Sequence, residues 1–313
     1  MFCALPVTAA APKLLMTKDE LQNRMRDASS EMARVLTIAH DAHLRLVGPI
    51  DKERDPNLTG LIGPDDSPIV STQGQLTAKR TACVPDFAAL VTRWLYEVGV
   101  QPEDKVAVIA TGSFPGFNIA AICAIRAIGA SPNIQFSLAA SEYGMTEPDY
   151  TLLDLNREIR NKIKDWPDID VVTYGAGSDR GYALPPNGKK TLDRAFKRND
   201  KIPLVTGSLH EQITTRLKLL EDKGPYRAVI FIGGNIAALG TEEMKDVGAG
   251  LLPRDVKVDS NLKESMMKQY LLQGTPVIYL HWSEHLAKVW DIPYDPAHLP
   301  KPGSIEKIFD ITK

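Results

Sequence analysis

The stretch that most constrains the fold of this chain runs from Lys105 to Gly129. It opens with the apolar run Val106-Ala-Val-Ile-Ala110, which is typical of a strand buried on both faces. A loop rich in glycine, residues 111–116, follows the run, and a helix pattern of small apolar residues follows the loop. Such a loop sets backbone N–H groups and the Ser113 hydroxyl at the positive end of a helix, which favours an anion or a reacting carbonyl. The sequence therefore predicts a site at this loop.

Strand patterns and helix patterns alternate through the rest of the chain. Further strands are predicted over residues 133–138, 169–174, 202–205, 228–232 and 276–280. Helices are predicted over residues 17–47, 85–98, 150–164, 188–198, 209–221, 261–273 and 283–290. Because most of the strands are apolar throughout, the pattern predicts an α/β fold with a mostly parallel open sheet and helices on both faces. We divide the chain into an N-terminal tail and long helix, residues 1–47, and an α/β domain, residues 48–313.

Composition excludes several classes of function. The net charge is −2, and no block of Lys and Arg stands out, so we predict no nucleic-acid partner. The three cysteines, Cys3, Cys83 and Cys123, have no spacing typical of a disulfide framework or a zinc ribbon. The loop after the first strand has neither the dinucleotide nor the P-loop fingerprint. We therefore predict no cofactor.

We also predict no metal site. The segment from His281 to His285 spells H-x-x-E-H, the inverted zinc-protease motif, but a third protein ligand is not evident and a terminal amphipathic helix explains it better. His40 and His43 lie three residues apart on the first helix and also lack a third ligand.

Four loops at the carboxyl ends of the predicted strands are rich in Gly, Ser, Asp or Asn. They cover residues 111–116, 139–148, 175–181 and 233–240. In open parallel sheets ligands bind beyond the carboxyl ends of the strands, where the strand order reverses, so we expect one composite site there. The residues that we assign to ligand binding, in these loops and before the second predicted helix, are Thr72, Lys79, Thr81, Gly112, Phe114, Asn118, Ser141, Tyr143, Gly233, Gly234 and Asn235.

Two residues are candidates for catalysis. Ser113 lies between a strand and a helix, as the serine of a nucleophile elbow does. The G-x-S-x-G spacing of that motif is missing, however, and no histidine is an obvious base for Ser113. The alternatives are a backbone-and-hydroxyl cradle for an anion and a structural helix cap. Asp179, beside Arg180, either positions a cation or a base or belongs to a local turn. Lys79 and its neighbours form either an anion-binding edge or a solvated loop.

Several short motifs, in order along residues 51–303, carry a resemblance to a known family. They are Gly60-Leu-Ile-Gly63, Ser71-Thr-Gln-Gly74, Ala78-Lys-Arg-Thr81, Gly112-Ser-Phe-Pro115 with Asn118-Ile-Ala120, Gly233-Gly234 with Leu239-Gly240, Pro276-Val-Ile278 and the ending from Pro293 to Gly303. Together they resemble the poly-gamma-glutamate system protein family, bacterial proteins associated with making or exporting this γ-linked exopolymer. The chain departs from the family pattern at Tyr143, Met145 and Tyr279, where Trp, a small residue and His are expected.

The resemblance implies an accessory protein of the polymer system, in which helix N-termini, Lys79, Arg80 and Arg180 receive carboxylates of the polymer or of a glutamate-containing precursor. One alternative is a serine-dependent hydrolase or transferase in which Ser113 attacks a γ-glutamyl amide. Another is a structural subunit of a membrane-associated complex, with the helix over residues 17–47 as its interface. Synthase or export subunits and a second copy of the chain are the protein partners considered.

The N-terminus leaves the location open. The resemblance implies a place outside the cytoplasm, with a membrane anchor at the N-terminus. Residues 1–12 are apolar and end in small residues, but they lack basic residues at the start and are too short to span a membrane. They are either the remnant of a signal or anchor or a disordered terminus, and a cytoplasmic location is the alternative.

Overall fold

Strands and helices alternate through the part of the chain that the structure describes. The structure, a computed structural model, describes residues 16–240, 247–256 and 264–311. Its strands in chain order are β1 (Val70–Thr72), β2 (Lys105–Thr111), β3 (Ser131–Ser137), β4 (Ala140–Ser141), β5 (Val171–Thr173), β6 (Ala228–Ile232), β7 (Gly250–Leu251) and β8 (Val277–Leu280). Its helices are α1 (Lys18–Leu46), α2 (Leu76–Thr81), α3 (Asp86–Glu97), α4 (Pro115–Ile128), α5 (Leu152–Arg160), α6 (Gly188–Arg198), α7 (Leu209–Glu221), α8 (Ile236–Leu239), α9 (Met266–Leu272), α10 (Ser283–Trp290) and α11 (Glu306–Phe309). A short 3-10 turn covers Gly177–Asp179.

Six strands form one sheet in the order β5-β3-β2-β6-β8-β7. All neighbours in it are parallel except β7, which runs antiparallel to β8. The chain leaves β2 towards β3 and β5 on one side and later returns to β6 and β8 on the other. The strand order therefore reverses between β2 and β6, and the crevice beyond their carboxyl ends is the switch point where ligands of such sheets bind. The predicted α/β class and the mostly parallel sheet are confirmed.

Helices cover both faces of the sheet because both faces of β2 are apolar. Val106, Val108 and Ala110 belong to a core with residues of α1, α3 and α4, whereas Ala107 and Ile109 belong to a second core with residues of α7 and α9. Alternate residues of a strand point to opposite faces, so one apolar run supplies both cores. Each fully buried Val or Ile side chain contributes about 1.5–3 kcal/mol, which makes β2 the centre of the fold.

The long predicted helix is present as α1, and it begins with the capping box that the sequence indicates. The backbone N–H of Glu20 donates to Thr17 Oγ1 at 3.2 Å, and the N–H of Thr17 donates to Glu20 Oε2 at 2.7 Å. The apolar stripe of α1, which includes Met25 and Met32, is buried in the same core as α3 and α4. The helix therefore packs as a layer over the α/β unit of its own chain.

The strand predicted over residues 202–205 is wrong. That segment has no regular structure, and one backbone bond, from Leu204 N–H to Val172 O at 2.8 Å, links it to β5. Pro203 has no N–H to donate to a ladder, and Ile202 is 91% exposed, so the apolar run is not a buried strand. The sequence also gave no signal for β1, β4 and β7, since strands of two or three residues are too short to show a period. Of the helix predicted over residues 261–273, residues 261–263 lie outside the described ranges.

No helix in the described ranges combines the length and the apolar character that crossing a membrane requires.

Helix α4 packs so closely on the turn after α2 that one position accepts only glycine. A Cβ added to Gly116 would lie 2.2 Å from the backbone carbonyl oxygen of Ala82. Backbone cannot move aside as a flexible side chain can, so this contact fixes how near α4 comes to α2.

We expect Gly116→Ala to lower the free energy of unfolding by about 2 kcal/mol or more, because the added methyl group pushes α4 away from α2. Urea denaturation of the purified protein measures the change. Gly234→Ala is the matched control, since its Cβ would have its nearest neighbour at 3.7 Å. A Gly116→Ala variant as stable as the control would contradict this packing.

Candidate functional site

A cavity of about 460 Å³ opens at the switch point of the sheet. Residues from the loops after β2, β6 and β8 and from α2, α10 and the β1–β4 pair line it. They are Thr72, Gln73, Gly74, Gln75, Ala78, Lys79, Ser113, Phe114, Ser141, Gly234, His281, Trp282, Ser283 and Glu284. The composite site that the sequence predicts at this edge thus coincides with a cavity of the size used for small ligands.

Lys79 is the cation inside this cavity. Its side chain is carried by α2 and is 2% exposed. Its Nζ donates a hydrogen bond to Ser141 Oγ at 2.7 Å and lies 3.7 Å from the centre of the Phe114 ring. Burial disfavours the ammonium and lowers the pKa of Lys79 to about 7, while the carboxylate of Glu142 acts in the opposite direction. Near neutral pH the same group is therefore present both as a cation and as a free amine.

The loop after β2 lies directly against residues 140–145, which sets the distance between Ser113 and Ser141. Ser141 N–H donates to Ser113 Oγ at 3.0 Å, and Met145 N–H donates to the carbonyl oxygen of Gly112 at 2.9 Å. A Cβ added to Gly144 would lie 2.6 Å from that same carbonyl oxygen. Because the two segments lie this close together, both hydroxyls reach the cavity from one continuous wall.

Six of the residues that the sequence assigned to the site line the cavity. They are Thr72, Lys79, Ser113, Phe114, Ser141 and Gly234. Asn118 is buried behind the wall, where its Nδ2 donates to the carbonyl oxygen of Thr111 at 2.9 Å. Asn235 caps the turn after β6, accepting the N–H of Ala237 at 2.7 Å on its Oδ1. Gly112 and Gly233 are the loop residues next to the lining residues Ser113 and Gly234, so with Asn118 and Asn235 they shape the wall.

Two other assigned residues make contacts away from the cavity lining. The Tyr143 hydroxyl donates to Asp65 Oδ2 at 3.0 Å. Thr81 Oγ1 donates to the carbonyl oxygen of Thr77 at 2.7 Å and accepts the N–H of Asp295 at 2.9 Å. Thr81 thus ties α2, the helix that carries Lys79, to the C-terminal segment.

Asp179 lies in a fully buried ion pair and does not line the cavity. Its Oδ2 accepts from Arg216 Nη1 at 2.8 Å, and both side chains are 0% exposed. Its Oδ1 accepts from Ser137, Thr173 and Asn235 at 2.8–2.9 Å. Through Asn235 this network holds the loop that carries Gly234. The structure therefore places Asp179 as a support behind the site and not at its surface.

The sequence also missed residues of the cavity. Gln73, Gln75 and Trp282 were assigned no role in binding, and Glu284 was noted only within the zinc-like motif. Nothing in their local pattern points to a cavity. His281 drew attention only as part of the zinc-like motif, whereas its ring packs edge-on to Phe114 and stacks on Tyr279, both with centroids 5.5 Å apart. Within the described ranges, no group of three His, Cys, Asp or Glu side chains is arranged to hold a metal ion.

Comparisons with family models, with curated proteins and with solved structures find no match for this chain. The cavity's own residues and the motif resemblance are therefore the grounds for a functional proposal.

We expect Lys79→Met to be more stable than wild type at pH 6, by on the order of 2 kcal/mol, because methionine fills the space without a buried charge. The Lys79 pKa falls from 10.5 to about 7 on folding, so between these pH values the unfolded wild type binds more protons than the folded protein. Wild-type stability should therefore rise over this interval, and the advantage of Lys79→Met should shrink by pH 9.5.

Urea unfolding at pH 6 and pH 9.5 measures both effects. Lys162→Met, on the exposed surface, is the control and should stay within about 0.5 kcal/mol of wild type at both pH values. If Lys79→Met is no more stable than wild type at pH 6, the buried ammonium carries no desolvation cost.

Proposed function

We propose that this chain is an accessory protein of a poly-gamma-glutamate synthesis or export system. In this proposal it binds the polymer, or a glutamate-containing precursor, in the cavity at the switch point of the sheet. The observation that carries the proposal is the buried Lys79 ammonium in a cavity whose lining also offers hydroxyl, amide and aromatic groups and one carboxylate, that of Glu284.

The chemistry of the cavity matches one end of a γ-glutamyl chain. Each γ-linked unit has a carboxylate and an amide, which need a cation and hydrogen-bond donors. Lys79 supplies the charge, and the hydroxyls of Ser113 and Ser141 supply neutral donors beside it. A charge-assisted hydrogen bond in a dry site is worth about 1.5–3 kcal/mol, enough for Lys79 to dominate recognition of a carboxylate.

The cavity favours a chain end over a long stretch of polymer. Its volume of about 460 Å³ suits a small ligand, and Lys79 can neutralise one carboxylate. Further carboxylates would have to lie at the mouth, where Trp282 is 41% exposed and can pack against the methylene groups of the chain. Glu284, at the cavity wall, would repel a second carboxylate that entered fully.

The rest of the proposal draws on the resemblance. A location outside the cytoplasm, with a membrane association, comes from it alone. The alternative of a subunit that docks through α1 is less well supported, because the apolar stripe of that helix is covered by α3 and α4 of the same chain.

We expect a γ-linked tetraglutamate to bind the purified protein, and Lys79→Met to weaken this binding by about 10- to 100-fold, the equivalent of one charge-assisted hydrogen bond. Affinity should fall as the pH rises through the Lys79 pKa, because the ammonium loses its charge. Isothermal titration calorimetry measures both effects.

Two controls make this binding test specific. Lys162→Met removes a surface lysine and should bind as wild type does. An α-linked tetraglutamate has the same charge and a different backbone, so it should bind more weakly. The proposal fails if the γ-linked oligomer does not bind at millimolar concentration, or if Lys79→Met binds it as tightly as wild type.

A further inference from the structure

The cavity holds a hydroxyl in contact with an amine, an arrangement that binding alone does not require. Lys79 Nζ and Ser141 Oγ are 2.7 Å apart, within the 2.6–3.2 Å range of a nucleophile and its base. Both side chains line the cavity and both are less than one-tenth exposed. Serine with lysine as its base is one of the known variants of nucleophilic catalysis.

We infer that Ser141 is a nucleophile and Lys79 its general base, and that this pair cleaves or transfers γ-glutamyl amide bonds. The choice of substrate rests on the proposed function, whereas the pairing of the two residues rests on their contact in the cavity. The catalytic serine is then Ser141 and not Ser113, for which the sequence left nucleophile, anion cradle and helix cap open.

Ser113 has a different partner. Its Oγ accepts the backbone N–H of Ser141 at 3.0 Å, and an amide cannot serve as its base. A hydroxyl can accept one bond and still donate its own proton. Ser113 is therefore placed to donate to the oxygen of a carbonyl that Ser141 attacks, as donors of an oxyanion hole do.

The surroundings of Lys79 make the free amine accessible near neutral pH. Burial lowers its pKa to about 7, and the adjacent Glu142 carboxylate opposes this. Across the cavity, His281 and Glu284 are the other titratable groups of the lining. A solvated lysine, with a pKa near 10.4, is a free amine in fewer than about one molecule in a thousand at pH 7. Removing water from this lysine is thus what allows it to act as a base.

Cleavage needs water as its only co-reactant, and transfer needs an acceptor amine in its place. Neutral Lys79 takes the hydroxyl proton of Ser141 as Oγ bonds to the γ-carbonyl carbon. The C–N bond then breaks, and the leaving amine takes the proton from the Lys79 ammonium, which leaves a γ-glutamyl ester on Ser141. Water, or an acceptor amine, attacks this ester and gives a proton to Lys79, and the C–O bond breaks as Oγ takes that proton back.

The test combines a probe for the nucleophile with an assay on substrate. A fluorophosphonate should label Ser141, located by peptide mass spectrometry, and the labelling rate should rise with pH around a midpoint near 7. Incubation with γ-linked oligoglutamate should release new amino groups. Ser141→Ala should abolish labelling and cleavage but weaken oligomer binding by no more than about 10-fold, the loss of one neutral hydrogen bond. Lys79→Met should slow labelling at least about 100-fold.

Two further serine variants distinguish the role of Ser141 from the roles of other serines. Ser113→Ala should still be labelled at Ser141 but should cleave more slowly, because it loses a donor and not the nucleophile. Ser131→Ala, on the exposed start of β3, should be labelled and should cleave as wild type does.

Each result decides one claim. If the protein binds the oligomer but is neither labelled at Ser141 nor able to cleave, the inference is overturned and the binding function stands. If Ser141 is labelled in a pH-dependent way but the oligomer neither binds nor is cleaved, the pair stands and the γ-glutamyl substrate is overturned.

Discussion

Burying an amine that is charged in water is the constraint on which this site depends. Lys79 gives up its hydration and receives in return one hydroxyl contact and the face of one aromatic ring. Those contacts only partly offset desolvation, and for that reason the pKa of Lys79 falls to about 7. The rest of the free-energy cost of desolvating Lys79 has to be offset by the stability of the surrounding fold.

The fold can meet that cost because the two cores meet at the strand that leads into the site. β2 has apolar residues on both faces, so the sheet is held from two sides close to the cavity. Behind the loops, the buried pair of Asp179 and Arg216 is tied through Asn235 to the loop of Gly234. Such a scaffold holds Ser113, Ser141 and Lys79 in fixed positions before a ligand binds. This is preorganisation, on which both recognition and catalysis depend.

Features set by neighbouring residues could be predicted from the sequence, whereas contacts between residues far apart in the chain could not. The bounds of β6, α6 and α7 were predicted to the residue, because caps, glycines and apolar runs are local signals. The cavity lies at the edge of the sheet where the sequence predicts a site, since the carboxyl ends of parallel strands lie at one edge. The contact between Lys79 and Ser141 was not, because the two residues are 62 positions apart and meet through the very short strands β1 and β4. Asp179 was considered for catalysis for a related reason. Its partner Arg216 lies on another element, so the sequence could not reveal that the Asp179 charge is paired inside the protein.

Binding and catalysis require different protonation states of Lys79. A bound carboxylate pairs with the ammonium, whereas Ser141 needs the free amine as its base. The most direct test is an NMR titration of the protein labelled with ¹³C at the lysine ε-carbons, with Lys79→Met to assign the resonance. The buried site predicts a Lys79 resonance that titrates with a pKa of about 7 and is absent in Lys79→Met. A Lys79 resonance that titrates near 10.4, as solvated lysines do, would contradict it.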